Sequence, residues 1–158
     1  MPRVSKAEEI SETVQSLRRI FKAIEDYSYE ILISFGITGP QLWALKTISR
    51  SAGLALGDLS KKMYLHPSTI SGVIDKLEGK NLVRRRRDSV DRRVVTVDLT
   101  PAGKELAKRA PNPVQGRMIY GLRKLKKDEL HAIYESIRTL TEIMKAEHVK
   151  ATFFFDKD

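Results

Sequence analysis

Residues 65–99 read LHPSTISGVIDKLEGKNLVRRRRDSVDRRVVTVDL. In the first half, Ile70, Val73, Ile74 and Leu77 recur at i, i+3, i+4 and i+7, the spacing of one helix face. Pro67 stands at the first turn of that helix, where its missing N–H costs nothing. The opposite face carries Ser68, Thr69, Ser71, Gly72, Asp75 and Lys76. A merely solvated face would hold the stronger helix formers Glu, Lys and Gln. Small hydroxyl-bearing residues weaken a helix but let a groove approach it closely. Asn81 ends the helix at a position suited to left-handed backbone. From Leu82 the period changes to two. Leu82–Arg85 is predicted as one strand and Val94–Leu99 as its partner, with Val95, Val97 and Leu99 on one face and Arg86–Arg93 as the turn. A helix followed directly by such a hairpin is the second half of a helix-turn-helix with its wing.

Charge is concentrated in that hairpin. Between Lys80 and Arg93 stand seven basic residues (Lys80, Arg84, Arg85, Arg86, Arg87, Arg92, Arg93) against Asp88 and Asp91, a surplus of five in a chain whose net charge is +9. A basic surplus alone fits nucleic acid, an anionic membrane surface or simply a soluble basic protein. Its position decides between them. Guanidinium groups suit a narrow minor groove and bidentate phosphate contact, and these flank a helix faced with Ser and Thr. Double-stranded DNA is the expected partner.

Working outward, Thr38 and Gln41 have capping-box spacing. The helix they open is predicted to bury Leu42, Leu45 and Ile48, with Trp43 at its margin, and to end at Ser51–Gly53. A short helix follows over Leu56–Met63, with Leu59 and Met63 inward. Together with the helix after Pro67 these make the three short helices of a winged helix-turn-helix. Upstream, Ile10, Val14, Leu17, Phe21, Ile24, Tyr27 and Ile31 alternate at spacings of four and three until Phe35-Gly36. Such a seam predicts packing against helices of another chain; a long amphipathic helix lying on its own domain is the other reading. Downstream, Thr100-Pro101 opens a helix to about Ala110, interrupted by Pro111-Asn-Pro113. Leu122 and Leu125 lead into a last helix carrying Leu130, Ile133, Ile137, Leu140 and Met144. The apolar Phe153–Phe155 is expected to pack on a partner or on its own domain. The predicted fold class is mainly α with a small β-wing. Residues 36–100 form the winged helix-turn-helix, and 1–35 with 101–158 form the helical dimerisation region.

Several function classes are excluded. The chain has no cysteine, hence no disulfide, thiolate metal site or thiol-based peroxide sensing. No N-terminal h-region and no run of roughly 18–20 apolar residues is present, so a cytoplasmic protein without a membrane partner is expected. His66, His131 and His148 fall on different elements without metal-ligand spacing. There is no glycine-rich phosphate loop and no nucleophile elbow. Neither an enzyme, nor a metal site, nor a cofactor is expected. A winged helix serving as a protein or RNA adaptor is the competing reading, because a fold does not fix a function.

Residues from about Phe35 to Lys104 resemble the MarR family of regulators. The matching stretches are Ile37-Thr-Gly-Pro-Gln-Leu-Trp43, Leu65-His-Pro-Ser-Thr-Ile-Ser71 with Asp75-Lys-Leu-Glu78, Leu82-Val-Arg-Arg85, Asp91-Arg-Arg93 and Leu99-Thr-Pro-Ala-Gly103. The resemblance implies a homodimer built from the first and last helices and a pseudo-palindromic operator. It also implies regulation, here as a repressor, modified by a small aromatic or phenolic effector. It implies that Asp91 orients Arg93 toward the minor groove, that Arg86, Arg87 and Arg92 contact phosphates, and that Ser68, Thr69, Ser71 and Lys76 face the major groove. Gly72 departs from the pattern, since many relatives hold an arginine there. His66 stands where a serine N-cap is usual; it either caps weakly, touches phosphate or ligand, or starts the helix without further role. An effector is expected where the winged domain meets the dimer frame, with Tyr27, Trp43, Tyr64 and His66 as candidate contacts.

Overall fold

The computed structural model describes residues 4–150. Its elements run α1 (Lys6–Phe35), α2 (Gly39–Ser49), β1 (Leu54–Ala55), α3 (Leu56–Met63), α4 (Pro67–Gly79), β2 (Val83–Arg87), β3 (Val95–Leu99), α5 (Pro101–Arg109), α6 (Val114–Lys124) and α7 (Lys127–Ile143). The Phe153–Phe155 tail lies outside the described residues.

The boundaries follow from their caps. Thr38 Oγ1 accepts the Gln41 N–H at 3.4 Å, while the Gln41 side chain accepts the Thr38 N–H at 3.2 Å, the reciprocal arrangement that starts α2. Gly36 ends α1 in the left-handed region at φ 65°, and Asn81 occupies the same region at φ 55° after α4. Thr100 does double duty. Its hydroxyl donates to the Asn81 carbonyl at 2.7 Å and accepts the Gly103 N–H at 3.0 Å, and its own N–H donates to the Leu82 carbonyl at 3.1 Å. The end of α4, the start of β2 and the start of α5 are thereby tied at one point.

The core is the space enclosed by α2, α3, α4 and one sheet face. Leu42, Leu45, Ile48, Leu59, Met63, Ile70, Ile74, Leu77, Val83 and Val97 are all buried there. Each such side chain removed from water contributes about 1.5–3 kcal/mol before entropy is counted. The sheet is antiparallel with order β1-β3-β2. Leu54 pairs with Val97 through a two-residue strand, which the sequence reading does not contain because two residues carry no period.

Several boundaries differ from the sequence reading, and Leu82 and Val94 lie just before the strands that the alternation predicts them to open. Strand β2 continues to Arg87, pairing Arg86 with Thr96 and Arg87 with Val95, so Arg86 and Arg87 are strand residues and the turn begins at Asp88. Backbone pairing to β3 holds this segment extended although it lacks apolar alternation. Helix α5, grouped by sequence with the dimerisation region, packs in the winged core through Ala107 and, beyond its end, Ala110. Gly103 makes that packing possible: a Cβ there would collide with the Leu82 carbonyl.

The outer helices are different. Helix α1 is 30 residues long, about 45 Å at 1.5 Å per residue, but buries only Ile24, Tyr27 and Ile31, of which Tyr27 and Ile31 belong to the core. Ile10, Val14 and Phe21 remain exposed, as do Leu130, Ile133 and Ile137 on α7. No residue of α7 is buried.

Candidate nucleic-acid interface

Helix α4 is held by its first turn and its two flanks. His66 is the N-cap: its Nδ1 accepts the Ser68 N–H at 3.3 Å and lies 2.8 Å from the Ser68 hydroxyl. The ring therefore caps α4, and it also engages one of the side chains expected in the major groove. Ser68 and Gly72 are exposed, Thr69 and Ser71 half-buried, and Lys76 exposed. The space around Gly72 is open, with nothing within 4 Å of where a Cβ would stand.

The basic residues of the hairpin are divided among distinct tasks. Lys80 donates to the Gly36 carbonyl at 2.7 Å, closing the exposed end of α1. Arg85, alone among the arginines of β2, is turned inward with 24% of its side chain exposed. Its Nη2 lies 2.6 Å from Asp75 Oδ1, its Nη1 2.6 Å from Glu78 Oε2, and Nη2 also donates to the Ser71 carbonyl at 3.2 Å. The Arg85 N–H completes the set, donating to Glu78 Oε1 at 3.0 Å. These bonds hold the Glu78 carboxyl below its ordinary range, first through the Arg85 N–H and then through the guanidinium. One side chain thus fastens the wing to three residues of α4.

Because side chains alternate along a strand, Arg85 and Arg87 share the sheet face of Val83, and Arg84 and Arg86 share the other. Arg86 pairs there with Asp98 at 3.8 Å. The wing tip is shaped by two aspartates. Asp88 Oδ1 accepts the N–H groups of Val90 and Asp91 at 2.7 and 3.0 Å, which builds the turn. Asp91 Oδ1 accepts the Arg93 N–H at 3.0 Å and Nε at 3.1 Å, while Oδ2 receives Nη2 at 3.3 Å. The Asp91 carboxyl is accordingly held below its ordinary range by the guanidinium and the N–H of Arg93. Although paired, Arg93 is 92% exposed, so its direction is set while its charge stays open to solvent. Arg87 and Arg92 are exposed nearby.

The four effector candidates do not share one site. Trp43 lines a cleft of about 260 Å³ between α2 and α6 together with Lys46, Arg50, Arg117 and Tyr120. The ammonium of Lys46 is pushed below its ordinary value by burial and by the neighbouring Arg50. Tyr27 is buried on the inner side of α1, and burial pushes its phenol up to about 12. Its hydroxyl lies toward the Val114 backbone N–H of α6, while the Ser28 hydroxyl and the Gln115 amide are buried without a hydrogen-bond partner among the described residues. Tyr64 is exposed at the α3–α4 turn with φ 55°, and its hydroxyl receives Arg123 Nη2 of α6 at 3.1 Å. Among the described residues no group of three or more His, Asp or Glu is arranged to hold a metal, and no helix is long and apolar enough to cross a membrane.

Sequence reasoning did not find the roles of Arg85, Asp88 or Lys46. Asp75 and Glu78, three apart on one face of α4, were a signal for Arg85; Asp88 two residues before Val90 was the signal for an Asx-type turn.

Comparison with known proteins adds a lineage to this geometry. Residues 37–95 match the model described as MarR family. An uncharacterized HTH-type transcriptional regulator of Bacillus subtilis strain 168, YsmB, is 37% identical over 99 residues, spanning 63% of this chain and 68% of that one. The HTH-type transcriptional repressor MdtR of the same organism is 27% identical over 149 residues, 94% of this chain and 88% of its own. Among solved structures, a MepR-like protein complexed with pseudoligands superposes with a TM-score of 0.58 at 30% identity, covering 84% of this chain and 94% of that one.

Proposed function

The chain belongs to the MarR family of transcriptional regulators, and from that premise we propose that it is a homodimeric, ligand-responsive repressor of a pseudo-palindromic DNA operator, acting in the cytoplasm. The observation that carries this reading is the rigid unit made by α4 and the wing. Arg85 fastens the hairpin to Asp75 and Glu78 of α4, and Asp91 aims an exposed Arg93 from its tip. In the proposed complex α4 enters the major groove, presenting Ser68, Thr69, Ser71, Gly72 and Lys76, while Arg93 reaches the adjacent minor groove. Arg86, Arg87 and Arg92 contact the phosphate backbone.

The exposed apolar residues of α1 and α7 support the dimer. Ile10, Val14 and Phe21 on one helix and Leu130, Ile133 and Ile137 on the other are exposed at helical spacing, apolar stripes that favour an interaction partner over water, and a second copy would cover them symmetrically. Repression is favoured by the match to MdtR, a repressor, over 94% of this chain.

The effector reading rests on the Trp43 cleft. Two aromatic rings, Trp43 and Tyr120, stand with Lys46, Arg50 and Arg117 and no carboxylate. This suits a small aromatic or phenolic anion, whose charge would relieve the repulsion at Lys46. The cleft joins the winged unit to the helices after it, where a bound ligand can favour one spacing of the two α4 helices.

Operator binding measured against salt tests the DNA reading. Neutralising roughly 6–10 phosphates predicts a loss of about 10³–10⁵ in affinity between about 50 and 200 mM salt. A flat salt response, with a protein partner retained by an Arg93→Ala variant, would instead indicate an adaptor.

A further inference from the structure

The sheet face turned away from α4 carries charge of which the DNA reading uses only Arg86. A concave surface of about 600 Å³ opens there, between the end of α2, strands β2–β3 and α5. Arg84 and Arg86 enter it from β2, two residues apart on one strand face. Lys104 and Lys108 enter from α5, one helical turn apart and therefore side by side. The single carboxylate lining the cleft, Asp98, is already engaged: it accepts the Gly53 N–H at 2.8 Å and meets Arg86 at 3.8 Å. Glu105 adjoins Lys104 in sequence but is not part of the lining. Among the described residues Arg84, Lys104 and Lys108 form no salt bridge.

Four cations facing one carboxylate leave a local charge of +3, confined in a volume within the roughly 300–1,000 Å³ range of small-molecule sites. Like charges held this close repel one another, and an anion placed between them removes that repulsion. The floor is apolar, formed by Ile48, Ala52, Leu99 and Ala107. Cations on two opposing walls match a ligand with charge at more than one centre. Arginine forks fit phosphoryl oxygens bidentately, and lysines serve them as point charges. The apolar floor adds room for an uncharged body.

We propose that this cleft, formed by Arg84, Arg86, Lys104 and Lys108 behind the wing, binds a small organic polyphosphate. The phosphoryl groups lie between the arginines of β2 and the lysines of α5, and the organic body rests toward Ile48 and Ala52. The site is separate from the Trp43 cleft and from the α4 face.

Isothermal titration of the full chain with adenosine triphosphate, inorganic triphosphate and sulfate, at matched ionic strength, tests the assignment. The expected result is saturable binding of one adenosine triphosphate per chain, tighter than inorganic triphosphate and much tighter than sulfate. The Lys104→Glu/Lys108→Glu variant should weaken it by at least about tenfold, the effect of losing charge-assisted hydrogen bonds. Both lysines are exposed; the milder Lys104→Gln/Lys108→Gln variant, checked by thermal unfolding, guards against a folding defect. Arg93→Ala should leave this binding unchanged. The proposal is overturned if no nucleotide binds, if triphosphate and sulfate bind alike, if inorganic triphosphate binds as tightly as the nucleotide, or if Arg93→Ala abolishes binding while the lysine variants retain it.

Discussion

The guanidinium of Arg85 on β2 reaches the carboxylate of Glu78 on α4 at 2.6 Å. With the same side chain 2.6 Å from Asp75, the wing and α4 are tied together by two ion pairs from one guanidinium. Arg85 does not need to touch DNA to matter for binding it. Replacing it by Ala removes charge-assisted bonds, each worth about 1.5–3 kcal/mol at best, though the exposure of Asp75 and Glu78 reduces the loss. We expect chemical denaturation to show destabilisation of about 1–2 kcal/mol and operator affinity to fall by about tenfold. Unchanged affinity in a folded Arg85→Ala protein would refute the coupling.

Arg93 behaves oppositely. Its side chain is almost wholly exposed, so Arg93→Ala should leave stability within about 0.5 kcal/mol of the parent. Operator binding should weaken and the salt slope fall by about one. Asp91→Asn should weaken binding less, since it frees Arg93 without removing it. Equal losses of folding stability and binding would mean the wing tip is only structural.

Acid should separate wing from helix. The Glu78 carboxyl is held below its ordinary range by the N–H and guanidinium of Arg85, with Asp75 opposing. A carboxylate whose folded pKa is depressed contributes stability that is present above its unfolded value, roughly 4.3, and lost as the pH falls through the folded value. The stability difference between the parent and Glu78→Gln should therefore be constant near neutrality and shrink below about pH 4. A pH-independent difference in urea titrations would contradict this.

Two glycines should respond in opposite directions to the same substitution. Gly103→Ala drives a Cβ into the Leu82 carbonyl and should destabilise by about 1–3 kcal/mol. Gly72→Ala meets open space in the interior of α4 and should stabilise by about 0.5–1 kcal/mol. Thermal unfolding of the pair decides both.

The Trp43 cleft can be read directly, because the chain has one tryptophan. A small aromatic anion bound beside Lys46 and Arg50 should quench or shift the intrinsic emission, and Arg50→Ala should weaken the effect. An emission unchanged by any aromatic acid at saturating concentration would count against the effector.

Much of this was legible in the residues, and for local reasons. Thr38, Pro67, Asn81 and Thr100 mark helix ends through bonds or backbone angles set within a few positions, and the Ile70–Leu77 stripe needs only one helix to be seen. What stayed hidden depends on chain partners far apart. Strand β1 exists because Leu54 finds Val97; β2 extends to Arg87 because Val95 holds it. The arginine run read as one cluster, yet pairing alternates its members between two faces and turns Arg85 inward. Trp43 was singled out, but the cations Lys46, Arg50 and Arg117 around it come from two helices brought together only by folding. His66 resolved into an N-cap once the Ser68 N–H was in place.

Selection of bound duplexes from a random DNA library by the purified chain examines the doubled helix-and-wing unit most directly. The account predicts enrichment of an inverted repeat whose half-sites are centred about 34–36 Å apart, one helical turn, and its loss with Arg93→Ala. Enrichment of no sequence, or of a lone half-site bound by a monomer, would contradict it.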